Sequence, residues 1–133
     1  MSVSPSHIKL HRKSRILEVG FDQQTFQLPA EYLRVYSPSA EVKGHGPGEE
    51  VLQLNKQEVA ITGIEPQGHY AIKLIFSDGH DSGIYSWAYL YELGSQQQEK
   101  WQDYLRRVAE HQAQEEAKQT TAVKWVDPDP TAP

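Results

Sequence analysis

The chain has 133 residues, 38% of them hydrophobic, with 13 basic and 18 acidic side chains, a formal net charge of −5 and no cysteine. That length suits one domain with one core, and the acidic balance implies no broad cationic surface for nucleic acid. Without cysteine, this chain alone supplies no disulfide, thiolate metal site or cysteine nucleophile.

Residues 1–6 read as a disordered N-terminus. They and their neighbours carry no apolar core of signal-peptide length, and no run approaches the roughly 18 apolar residues of a spanning helix. A cytoplasmic chain without a membrane partner is expected. From His7 the pattern alternates: Ile8 and Leu10, then Ile16, Leu17, Val19 and Phe21, with the polar "HRKS" interrupting it, which reads as one hairpin or as a strand followed by a loop. "DQQ" (22–24) joins this run to Thr25–Leu28 as a second hairpin candidate. Pro29 ends that strand, because proline cannot donate to a ladder. "AEYLRVYSP" has room for one helical turn. Residues 44–48, "GHGPG", form an exposed loop.

Two further strands follow, one with Val59, Ile61 and Ile64, the other with Tyr70, Ile72, Leu74 and Phe76 on one face. "PQGH" is the turn between them. A short helix is expected over about 86–93, ended by Gly94 at C′. Ser95 and Gln98 then have capping-box spacing, and Trp101, Tyr104, Leu105 and Val108 make one apolar stripe. The expected fold class is α+β: a small, mostly antiparallel single sheet of four or five strands, a short helix and a longer C-terminal helix. Trp87, Leu90, Tyr91 and Trp101 are its expected cover. The parts are a domain over 7–94, a helix over 95–118 and a disordered tail over 119–133.

His80, between Asp78 and Asp81 on the loop entering a helix, is the first candidate for chemistry. Either carboxylate could orient its ring for ligation or base catalysis. The same pattern also suits a plain Asp78-Gly79 turn that His80 locks by hydrogen bonding. His45, flanked by glycines, is the second candidate. His7 and His11 read as strand residues on one face, roughly 13 Å apart, too far for one metal. Tyr85, Trp87, Tyr89 and Tyr91 would lie on two faces of a helix, one pair in the core and the other either a contact surface or packed locally as well. No phosphate loop, G-x-S-x-G elbow or H-E-x-x-H is present.

"LRVYSPSAEVKGHGPGEE" and "FSDGHDSGIYSWAYLYELG" resemble the gamma-butyrobetaine hydroxylase-like N-terminal domain, a domain of unknown function, over roughly Ile8 to Gly94. In the oxygenases that give the name, the resemblance implies a domain preceding an iron and 2-oxoglutarate jelly roll and holding a structural zinc through three cysteines and a histidine. It places the histidine at His80 and the cysteines at Ser37, Ser39 and Val42. A structural zinc is therefore not expected. Ser37, Ser39 and His80 are expected to lie together as a polar lock, with the 44–48 loop nearby. The resemblance also extends to a segment fused to iron–sulfur carrier ATPases.

No catalytic residue or resident cofactor is expected. The leading functional expectation is a non-enzymatic module whose partner is a protein, not nucleic acid. The alternative is a metal-handling accessory binding iron or zinc weakly through His80 with Asp78, Asp81 or His45. A third, an enzyme of another kind, would show as a pocket joining His80 to an acid.

Overall fold

Two meanders of three antiparallel strands each, with helices between and after them, form the fold in the computed structural model. It describes residues 3–44, 48 and 50–126, with side chains up to residue 118. The chain divides into two units, Met1–Gln98 and Glu99–Pro133.

The first sheet is β1 (His7–His11), β2 (Ile16–Gly20) and β3 (Thr25–Pro29), in that spatial order. Its register puts Leu10 opposite Leu17 and Leu17 opposite Leu28, with Ile8, Val19 and Phe26 in the next row of the same face. Leu17, Val19 and Leu28 are fully buried. The other face carries the row Lys9, Glu18 and Gln27. Pro29 ends β3 and leads directly into helix α1 (Ala30–Val35), which buries Tyr32 and Leu33. A four-residue helix, α2 (Ala40–Lys43), follows after Ser39.

The second sheet is β4 (Ile61–Gln67), β5 (Ala71–Phe76) and β6 (Ile84–Ser86). Ile61, Ile72, Leu74, Phe76 and Tyr85 are buried. The single sheet of four or five strands read from the sequence is thus two separate sheets. Alternation identifies a strand's buried face but not its neighbour, and 30–60 carries the chain from one meander to the next. Tyr70, expected to continue the β5 face, belongs to the β4–β5 turn and is 67% exposed. Tyr85, expected on a helix, is a strand residue opposite Ile72.

Helix α3 (Trp87–Ser95) begins at Ser86, whose Oγ accepts from the Tyr89 amide at 3.1 Å. It does not stop at Gly94. Gly94 is helical, and a Cβ there would overlap the Phe26 ring, so its lack of a side chain serves close packing rather than a C′ turn. Ser95 is likewise the last residue of α3, its Oγ donating to the Tyr91 carbonyl at 2.7 Å, and not an N-cap. Tyr91 packs edge-on against Phe21 and Phe26 of the first meander, with centroids 5.1 and 5.5 Å apart. Of the expected sheet cover, Leu90 is fully buried, while Trp87 is half-buried with its Nε1 donating to the His69 carbonyl at 2.8 Å.

Helix α4 (Gln97–Val126) makes up the described part of the second unit. Within it Trp101 stacks on Tyr104 with centroids 5.2 Å apart, and Arg106 pairs with Asp103 and Glu110. Its backbone continues beyond 118, into the segment read as tail. The sequence "DPDPTAP" lies outside the described residues.

Candidate functional site

The turn after β5 brings residues 77–83 against the segment that joins α1 to α2. Gly79 adopts a left-handed φ of 91°, which lets the turn reverse tightly: its amide donates to the Phe76 carbonyl at 3.0 Å, and the Phe76 amide donates to the His80 carbonyl at 2.9 Å. The His80 side chain is thereby turned inward, 3% exposed.

Three serine, histidine and glutamate side chains then line up. Glu41 Oε1 lies 3.1 Å from His80 Nδ1, and Ser37 Oγ lies 2.8 Å from His80 Nε2. A carboxylate only accepts, so the proton of the neutral ring belongs on Nδ1, and Nε2 accepts from the Ser37 hydroxyl. Ser37 Oγ in turn accepts from the Ser39 amide at 3.3 Å, and Ser39 Oγ lies 3.4 Å from Nε2. Burial, and after it the nearby Arg34 charge, push the His80 pKa below its ordinary 6.5.

Asp78 is fully engaged beside this chain. Its Oδ2 accepts from Arg34 Nε at 2.9 Å and Lys56 Nζ at 2.7 Å, and its Oδ1 from the His80 amide at 3.2 Å. Burial opposes the carboxylate charge, but the bonds from Lys56, the His80 amide and Arg34 outweigh it and hold the pKa at about 2. Asp78 therefore anchors Arg34 and the turn, and offers no free oxygen pair to a ligand. Asp81 is exposed and has no hydrogen bond or ion pair among the described residues. His45, and with it most of the 44–48 loop, lies outside the described residues.

A serine, a histidine and a carboxylate in mutual contact is the arrangement of hydrolase triads, in which the serine is presented to substrate and the acid is buried behind the histidine. Here the order of exposure is inverted. Ser37 is 1% exposed and Glu41 has 73% of its side chain exposed. Gly83 closes over the hydroxyl, since a Cβ on it would overlap Ser37 Oγ. Neighbouring Tyr85 is fully buried and donates to the Leu33 carbonyl at 2.6 Å, which fixes α1 to β6 behind the site.

The residues do not fit the zinc that the resemblance implies. Ser37 and Ser39 offer neutral hydroxyls, and Val42 is a buried aliphatic without a donor, leaving one imidazole as the only ordinary ligand. Among the described residues no group of three His, Cys, Asp or Glu is placed to hold a metal ion.

A second cluster was not legible in the sequence. His7 and His11 converge on one carboxylate of β2: His7 Nε2 donates to Glu18 Oε2 at 2.7 Å and His11 Nε2 to Oε1 at 2.9 Å. The spacing along the strand is long, but both rings lean towards Glu18, which sits between them in the register. Bonds from His11, then His7, then Gln27 lower the Glu18 pKa to about 2.

The family model described as gamma-butyrobetaine hydroxylase-like, N-terminal, matches residues 8–91. Two solution NMR structures resemble the chain. One is 50% identical, covering 82% of this chain and 86% of the other, with a TM-score of 0.73. The second is 51% identical, covering 84% and 83%, with a TM-score of 0.72. A crystal structure of a protein of unknown function in the DUF971 family, from Acidithiobacillus ferrooxidans, is 37% identical over 68% of this chain and 91% of its own, with a TM-score of 0.57. No curated protein matches. Among the described residues no helix is long and apolar enough to cross a membrane.

Proposed function

Starting from a chain that belongs to the gamma-butyrobetaine hydroxylase-like N-terminal family, we propose that it works as a non-enzymatic interaction module whose His80 cluster is a structural lock. One observation carries this reading: the inverted exposure of the Ser37–His80–Glu41 chain, with the hydroxyl enclosed and the acid in solvent. A nucleophile must reach its substrate, and a general base must have a free lone pair when the substrate arrives. Ser37 Oγ is held between the His80 ring and the Ser39 amide under Gly83. Both His80 nitrogens are occupied within the protein.

The lock ties the α1–α2 connection to the β5–β6 turn, segments more than 40 residues apart in the chain. Its role is to hold the segment between the meanders against a turn of the second meander, leaving the module to act through its surface. The metal-handling alternative draws less support, because Asp78 is committed to Arg34 and Lys56 and Val42 offers no donor.

A fluorophosphonate probe tests the reading. It reacts with serines activated by a histidine and open to solvent. The folded protein should show no mass increase by intact-mass spectrometry after prolonged incubation. A stoichiometric adduct mapped to Ser37 would make the cluster a reaction centre and overturn the proposal.

A further inference from the structure

Almost every described lysine and arginine has a counterpart. Arg15 pairs with Glu58, Arg34 and Lys56 with Asp78, and Lys73 with Glu65. Arg106 and Arg107 share Asp103, Lys118 meets Glu115, Lys43 lies over the Tyr89 ring, and Lys100 is also engaged. The exceptions among the described residues are Lys9, Arg12 and Lys13. All three are exposed, and all three belong to the first hairpin, on β1 or in the turn that follows it.

Lys9 has a specific reason to be free. It lies directly opposite Glu18 in the β1–β2 register, the position from which a lysine and a glutamate ordinarily pair across strands. The two histidines take that partner instead, one on each oxygen of Glu18. The His7 ring is seated to do so, because it occupies the space a Cβ on Gly20 would fill. Both Glu18 oxygens are thus hydrogen-bonded within the sheet, and the Lys9 ammonium has no direct ion pair among the described residues.

β1 is also an end strand, with β2 as its neighbour on one side and no strand on the other among the described residues. Its open side can accept a further strand by main-chain hydrogen bonding. In a chain of net charge −5, three exposed cations without an ion-pair partner, against the single Glu18 carboxylate, form a local positive spot at this edge that draws in acidic segments and repels the same edge of another copy. A duplex or single-stranded nucleic acid meets only three free cations here, against the repulsion of the acidic remainder.

Resting on the interaction-module reading, we propose that the open edge of β1, with Lys9, Arg12 and Lys13, docks an extended acidic segment of a partner protein as an added strand. The experiment is an amide-correlation NMR titration of the full chain with a short synthetic peptide of alternating glutamate and valine. The expected result is saturable shifts concentrated in residues 7–13, weakened about tenfold or more by raised salt and by the Lys9→Glu, Arg12→Glu, Lys13→Glu variant. The variant's own spectrum should stay dispersed, since all three side chains are exposed. Absence of saturable shifts at 7–13, or equal binding by the variant, overturns the proposal. So does an oligothymidylate that shifts the same amides as strongly. Failure here with Ser37 still unreactive removes only the docking edge, whereas labelling of Ser37 removes the module reading itself.

Discussion

Exchanging His80 for alanine removes the acceptor of a hydroxyl that is 1% exposed, and exchanging Ser37 for alanine removes the partner of His80 Nε2. Each change removes the short bond of a buried polar group, leaving Nε2 only the longer Ser39 contact in Ser37→Ala, so each should lower stability by about 1–3 kcal/mol in urea unfolding at pH 7.5. Ser39→Ala should cost less, because its Oγ stands 3.4 Å from the ring against 2.8 Å for Ser37. A neutral Ser37→Ala would remove the lock. That Ser37, Ser39 and His80 lie together could be inferred from the sequence only through the family pattern, because their positions in the chain are far apart. The contribution of Glu41 was not legible: an exposed glutamate on a four-residue helix carries no signal that its carboxylate reaches back to Nδ1. The reading of His7 and His11 as strand residues too far apart for one metal missed their shared partner, Glu18, for a related reason. Strand spacing measures the distance between backbones, while long side chains can converge on a residue of the neighbouring strand.

At the level of elements, two glycine and serine positions distinguish what the pattern suggested from what the packing requires. Gly94→Ala should destabilise by about 1–3 kcal/mol, although alanine is the better helix former, because the added methyl would meet the Phe26 ring. Ser86→Ala should cost about 1 kcal/mol through loss of the α3 N-cap. Thermal melts of both variants check this, and a stabilised Gly94→Ala would contradict the close packing of Gly94 against Phe26. The strands β1 to β5 were legible because each carries alternation bounded by turn residues. β6 was not, since three residues are too few to show a period and its Tyr85 begins an aromatic series that continues into α3. The division into two sheets was equally hidden, because a strand's own alternation does not say which strand it pairs with.

For the whole molecule, the pKa shifts fix how stability depends on pH. The folded His80 binds a proton less readily than the unfolded chain, so its contribution is complete above about 6.5 and is lost as the pH falls through the depressed folded value. Asp78, ordinarily 3.8, and Glu18, ordinarily 4.5, are both held at about 2. Their contributions are present above those ordinary values and vanish as the pH falls towards 2. Denaturant midpoints should therefore decline in two stages, a first below about 6.5 and a second below about 4.5, and the His80→Ala variant should keep only the second. The α+β class and the family were legible because they depend on composition, alternation and one dense motif. Whether His80 is a closed structural group is read from long-range nitrogen–proton NMR of its ring during a pH titration. The expected result is the Nδ1–H tautomer near neutral pH and a midpoint below 6.5. An Nε2–H ring, or a free titration at or above 6.5, would contradict it.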